Sequence, residues 1–143
     1  YDRALELNAS LASAYGNRAN LHANQGRFDD AIADYNAVLE RDFENIAARA
    51  GLCELHLCAG DNAKAHNDAL AMVGAAPNFH AGYALRALAR FRSGDTDKAK
   101  QDYAKAMDLD KMWRTPEGAA EFLTICPDDA LATVRALLAA LAG

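Results

Sequence analysis

No apolar stretch in these 143 residues approaches the roughly 20 needed to cross a bilayer as a helix. Nor is there a basic, then apolar, then small-residue leader pattern, and the compartment stays open. Lys/Arg-rich runs are also missing, and the formal charge is −5. That balance opposes the counterion release on which nucleic-acid binding depends, so no nucleic acid is expected as a partner. Cysteine is too scarce for a disulfide framework: the three cannot all pair. Cys53 and Cys58, five apart on a helix, point about 140° away from each other. None has neighbours at zinc spacing, so buried free thiols are expected. Free thiols favour a reducing, cytoplasmic setting and leave a periplasmic one open.

Catalytic sets are absent too. The sequence shows no Ser/His/Asp or Cys/His arrangement in a credible context, no phosphate-cradling glycine loop and no carboxylate pair in an apolar setting. The chain is therefore expected to be no enzyme, with no cofactor and no metal. His22 and His56 stand 34 apart and would stack in adjacent units, but Arg90 is the third member of their column. A metal site would not select it, so packing is expected there.

What is present is a period. Gly26, Gly60 and Gly94 recur every 34 residues, in step with Ala31, Ala65 and Ala99 and with Asp34, Asp68 and Asp102. Tyr1, Tyr35 and Tyr103 share a further column, broken by Ala69. A fixed period of this length marks a repeat array. Within each unit the apolar residues fall at helical spacing. Phe28, Ala31, Ile32, Tyr35, Val38 and Leu39 make one stripe, with Asp29, Asp30, Asp34 and Glu40 on the wet side. A second helix precedes each of these and is closed by the periodic glycine, which supplies a left-handed cap. Small residues at Ala19, Cys53 and Ala87, facing Ala31, Ala65 and Ala99, let the paired backbones approach closely. A lone pair cannot hide its outer stripe, so pairs must stack. The expected fold is all-α, a right-handed superhelical solenoid of antiparallel helix pairs.

These residues resemble the tetratricopeptide repeats, closely over about residues 1 to 113. The segment from Tyr15-Gly-Asn-Arg-Ala-Asn to Ala31-Ile-Ala-Asp-Tyr35 is similar to a bacterial branch of that family. The expected units are 1–11, the second helix of a truncated repeat; 12–45, 46–79 and 80–113, full repeats; and 114–143, a degenerate capping pair. An opening in mid-helix, without Met, is expected of a fragment. The second unit departs from the pattern at Asn62, His66 and Ala69. Phe79, Met72 or His56 is expected to fill the space of the lost rings, or that unit to be the weakest. In the tail, Thr115-Pro116-Glu117 is a helix start with a capping hydroxyl. Ala119, Phe122, Leu123 and Cys126 would form its stripe.

The resemblance implies a concave face lined by the first helix of each pair. There it places Asn20, Asn24, Glu54, Leu57, Leu88, Phe91 and Arg92 as a groove for a peptide or helix. The carboxylate clamp of chaperone-binding relatives survives only at Asn20. Gly16, Gly51, Ala81 and Leu85 stand where the other clamp groups would be. The implied function is that of a non-catalytic scaffold for a protein or peptide partner. Its alternative is a repeat arm that recruits substrate or mediates oligomerisation for a larger enzyme or signalling protein. Leu131, Val134, Leu138 and Leu141 form an apolar stripe on the last helix, which calls for either further chain or a second copy to cover it. Two pairs sixteen apart, Arg18 with Asp34 and Arg86 with Asp102, are either salt bridges within a repeat or solvated charges. Trp113 and Phe79, each just ahead of a helix, are expected to pack as staples on its first turn.

Overall fold

In the computed structural model, residues 2–42 and 45–143 are described, with side chains at 11 and from 13 onward. The expectations for Tyr1, Ala4 and Leu5 lie outside the residues so described. Among the described residues the chain is helical throughout: α1 (Asp2–Asn24), α2 (Phe28–Arg41), α3 (Ile46–Cys58), α4 (Asn62–Ala75), α5 (His80–Arg92), α6 (Thr96–Leu109), a 3-10 turn at Lys111–Arg114, α7 (Pro116–Ala120) and α8 (Pro127–Ala142). Helices pair as α1 with α2, α3 with α4 and α5 with α6, and each pair stacks on the next through α2 on α3 and α4 on α5. The molecule is a solenoid of antiparallel helix pairs.

The periodic glycines do what the spacing predicts. Gly26, Gly60 and Gly94 have φ of +79°, +80° and +91°, a region that penalises any Cβ. The periodic alanines Ala31, Ala65 and Ala99 are fully buried between the paired helices. The periodic aspartates are buried as well, Asp34 included although its helix face is expected to be wet, because each collects cations from the preceding helix. Asp34 accepts two hydrogen bonds from Arg18, at 2.7 and 2.9 Å. Asp102 accepts two from Arg86, at 2.8 and 2.9 Å, and one from Arg90 at 2.7 Å. In the middle unit Leu52 replaces the arginine. His56 Nδ1 lies 2.6 Å from Asp68 instead, with Arg49 at 3.9 Å. The histidine column is thus a polar one: it serves the aspartate rather than filling an aromatic slot.

The ring missing at Ala69 is compensated across the joint to the next unit. Tyr35 packs on Gly51, and a Cβ there would fall inside the ring. In the same register, Ala69 is followed sixteen residues later by Leu85, and both are fully buried in one cluster. Large on small thus becomes small on large. Met72, also fully buried, fills the rest.

Three departures from the expected boundaries stand out. α1 is continuous through residues 11 and 12, where a turn between units was expected. The residues 8–12, Asn-Ala-Ser-Leu-Ala, hold neither proline nor glycine to stop it. In the tail, Thr115 caps α7 by accepting from Gly118 N–H at 3.0 Å, with Pro116 in its first turn. Yet the helix ends at Ala120 rather than running on to Cys126. Beyond it Leu123 and Ile125 are buried at alternate positions, a pattern of extended chain that a helix would break. Finally, the cysteines are not all free: Cys58 and Cys126 form a disulfide with Cα atoms 6.0 Å apart, 68 residues apart in sequence. Cys53 alone is free, fully buried, its Sγ 3.2 Å from the Ala65 carbonyl. Burial, with Asp68 and Glu54 nearby, pushes its thiol well above the usual range.

Trp113 is fully buried and locks the tail to the third unit. Its Nε1 donates to His80 Nδ1 at 2.8 Å, and its carbonyl accepts from the Tyr103 hydroxyl at 2.6 Å. An indole can only donate, so His80 carries its proton on Nε2, which faces Asp110 at 3.5 Å. Phe79, half-buried, stacks on this group through His80 and Phe122.

Candidate functional site

The concave face is divided. Its first half is an open groove of about 1240 Å³ between α1, the end of α2 and the start of α3. Ser13, Gly16, Asn17 and Asn20 recur at one helical face of α1 and line one wall. Ile46, Ala47, Ala50 and Gly51 of α3 line the other, and Phe79 with Phe122 closes the far end. Small residues leave room for close approach, and Asn20 is exposed on this wall. At the lip Arg41, like Arg18, lies over the Tyr15 ring, 5.2 and 5.4 Å from its centroid. Asn24 is exposed on α1 but does not line this groove.

The second half is filled by the chain itself. After α7 the segment 121–126 crosses the face and α8 lies along α5 and α6. Leu57 is 3% exposed and Leu88 fully buried, so neither offers open surface; Phe91 is half-buried against the same cluster. Arg92 is tied on every side. Its Nη1 donates to the Leu57 carbonyl at 2.7 Å, its Nε to Thr133 Oγ1 at 3.0 Å and its Nη2 to Asp129 Oδ2 at 2.8 Å. Glu54 accepts from Ile125 N–H at 3.4 Å. The space remaining among Glu54, Leu57, Arg92, Ile125 and Asp129 is about 10 Å³, room for a single water at most.

The same cover explains the electrostatics. Desolvation beneath the segment raises the Glu54 carboxyl from 4.5 to about 8, against the lowering by backbone donors at Ile125 and Thr124. A neutral carboxyl there is compatible with its apolar roof. Burial, with Glu54 adding to it, also lifts the Tyr35 hydroxyl to about 12. By contrast the Asp34 carboxyl lies below its ordinary value because Arg18 donates to it.

The stripe on α8 faces inward. Val134 is fully buried, and Leu131, Leu138 and Leu141 are half-buried against the core. The chain's own α5 and α6 cover what the sequence leaves for a second copy. Of the seven groove residues expected from sequence, the structure leaves Asn20 on the open groove, with Glu54 also lining it beside Thr124 and Ile125, and Asn24 exposed beyond it. It brings Glu54, Leu57, Leu88, Phe91 and Arg92 together under the tail. Phe122, Thr124 and Ile125 are lining residues the sequence reading did not place, because α7 was expected to continue through them. Among the described residues no group of three or more His, Cys, Asp or Glu could hold a metal, and no helix is long and apolar enough to cross a membrane.

Known proteins share this architecture. Residues 12–45 and 80–111 match family models of the tetratricopeptide repeat. No curated protein sequence matches the chain. The fold is similar to the first TPR of Spaghetti (RPAP3) bound to the HSP90 peptide SRMEEVD, with TM-score 0.72 and 22% identity over 94% of this chain and 95% of that one. It is similar to the second TPR domain of human RPAP3 in complex with the HSP70 peptide SGPTIEEVD, with TM-score 0.69 and 21% identity over 82% and 95%. MamA from Desulfovibrio magneticus RS-1 is also similar, with TM-score 0.65 and 21% identity over 92% and 75%. Two motif matches, a 34-residue period and helix pairs stacked in register agree on one conclusion: the chain is a tetratricopeptide repeat protein.

Proposed function

We propose that the chain is a non-catalytic interaction scaffold that holds a peptide or helix in the open half of its concave face. The observation that carries this reading is the groove of about 1240 Å³, lined by the small and amide side chains of α1 and α3. Rigid stacked pairs keep those side chains in place, so affinity comes from shape and from backbone hydrogen bonds to the amides. Similar folds bound to chaperone peptides support a peptide as guest. The chemistry of the guest differs from theirs. Gly16 lines the groove without charge, and Gly51, Ala81 and Leu85 are buried in the stack, so these four positions offer no cation to a carboxylate terminus.

Peptides selected from a displayed library against the folded chain test this. A Cβ at Gly16 meets nothing within 4 Å, so Gly16→Trp fills the groove without disturbing the helix stack. Selected peptides should lose at least tenfold in affinity for that variant while its melting temperature holds. Unchanged affinity moves the site off the groove.

A further inference from the structure

The segment over the second half of the face is fastened at one point by a covalent bond. Cys58 ends α3, and Cys126 sits between the crossing segment and α8. Both are half-buried, within reach of a solvent-borne thiol, unlike the sealed Cys53. Cys126 is also the sole non-glycine with positive φ among the described residues, at +49°. It precedes Pro127, which keeps it out of the right-handed helical region. A β-carbon resists that left-handed conformation, so the chain at Cys126 is held there by its surroundings. The non-covalent ties around it are of two kinds: Ile125 N–H on Glu54 and Asp129 with Thr133 on Arg92 are polar, while Leu123 and Ile125 are buried among the core side chains. Beneath lie Glu54, Leu57 and Arg92, which continue the line of the open groove residue by residue, since Glu54 stands 34 positions after Asn20 and Arg92 stands 34 after Cys58.

We propose that Cys58–Cys126 is a redox latch on the concave face, and that its reduction frees the crossing segment and extends the groove past Glu54 toward Leu57 and Arg92. The reductant is a dithiol. One of its thiolates attacks a sulfur of the bridge, the S–S bond breaks and a mixed disulfide forms. The second thiol displaces the remaining cysteine. Two electrons and two protons pass to Cys58 and Cys126, which leave as thiols, and the dithiol leaves as a disulfide. What the longer groove would receive rests on the peptide reading above. The movement of the segment does not, and it is measured without any peptide.

The test uses the full chain, air-oxidised or treated with dithiothreitol, followed by hydrogen exchange read by mass spectrometry. Reduction should speed exchange across residues 121–130 at least tenfold while α1 to α6 keep their protection. The Cys58→Ser, Cys126→Ser double variant should show the fast pattern with or without reductant. Native maleimide labelling should rise from no reactive thiol to two. Unchanged exchange at 121–130 after reduction overturns the proposal, as does loss of protection through the whole array, which would make the bridge a global staple. An oxidised sample in which Cys58 and Cys126 are already labelled overturns it too. If exchange changes as expected but selected peptides bind neither form, the latch stands and the peptide reading falls.

Discussion

Between α1 and α3 the concave face encloses about 1240 Å³, whereas from Glu54 to Asp129 it leaves about 10 Å³. Equivalent positions show the gradient directly. Asn20, Glu54 and Leu88 stand 34 residues apart on successive first helices, and they are exposed, 7% exposed and fully buried. Exposure along the column falls as its cover thickens. The difference does not come from the helices, which follow one pattern. It comes from the fourth unit, where a first helix cut to Pro116–Ala120 lets the chain fall back across the face. In this array the floor is repeated, and the roof is decided once.

That contrast can be broken from the covered side. Val134 is fully buried on the inner face of α8, and Val134→Asp sets an unpaired carboxylate in the core. It should cost about 5 kcal/mol and strip α8 from the face. Urea unfolding gives the loss, and exchange at residues 127–142 should rise while α1 to α3 stay protected. A smaller effect is built into Glu54. Folded, it keeps its proton up to about pH 8; unfolded, it releases it near its ordinary 4.5. Below 4.5 both states are protonated and nothing is lost. As pH climbs from there through 8 the native state holds the extra proton, so stability falls, by up to about 1.4 kcal/mol per pH unit. Glu54→Gln should flatten denaturation midpoints across that window, and an unaltered slope would place the dependence on another group. The smallest effect belongs to the open side. Asn20→Ala should leave stability within about 0.5 kcal/mol and weaken a groove-bound peptide by about 1 kcal/mol, read by calorimetry.

The repeated parts of the fold were legible because each unit solves the same local problem with the same residue. Glycine is favoured where φ turns positive, so Gly26, Gly60 and Gly94 announce the helix ends. The offset of sixteen from Arg18 to Asp34 and from Arg86 to Asp102 was enough to name both pairs. Contacts made once were not. The bridge from Cys58 to Cys126 joins residues 68 apart, and no periodicity encodes a single crossing of that kind. Nor did helical spacing reveal that Leu131 and Val134 would turn inward, since an apolar stripe looks alike whether its cover is its own chain or another. One signal was present and went unread: Gly51 sixteen after Tyr35, and Leu85 sixteen after Ala69, are opposite answers to one packing question.

That exchange of bulk has a consequence for the order of the units. A tyrosine that needs a glycine ahead of it cannot precede the segment that carries Leu85, and the alanine at 69 would leave a void against Ala119, which stands sixteen after Tyr103. Transposing the second and third hairpins would therefore jam the first junction and hollow the last. Although its motif recurs, the molecule carries an address at every joint.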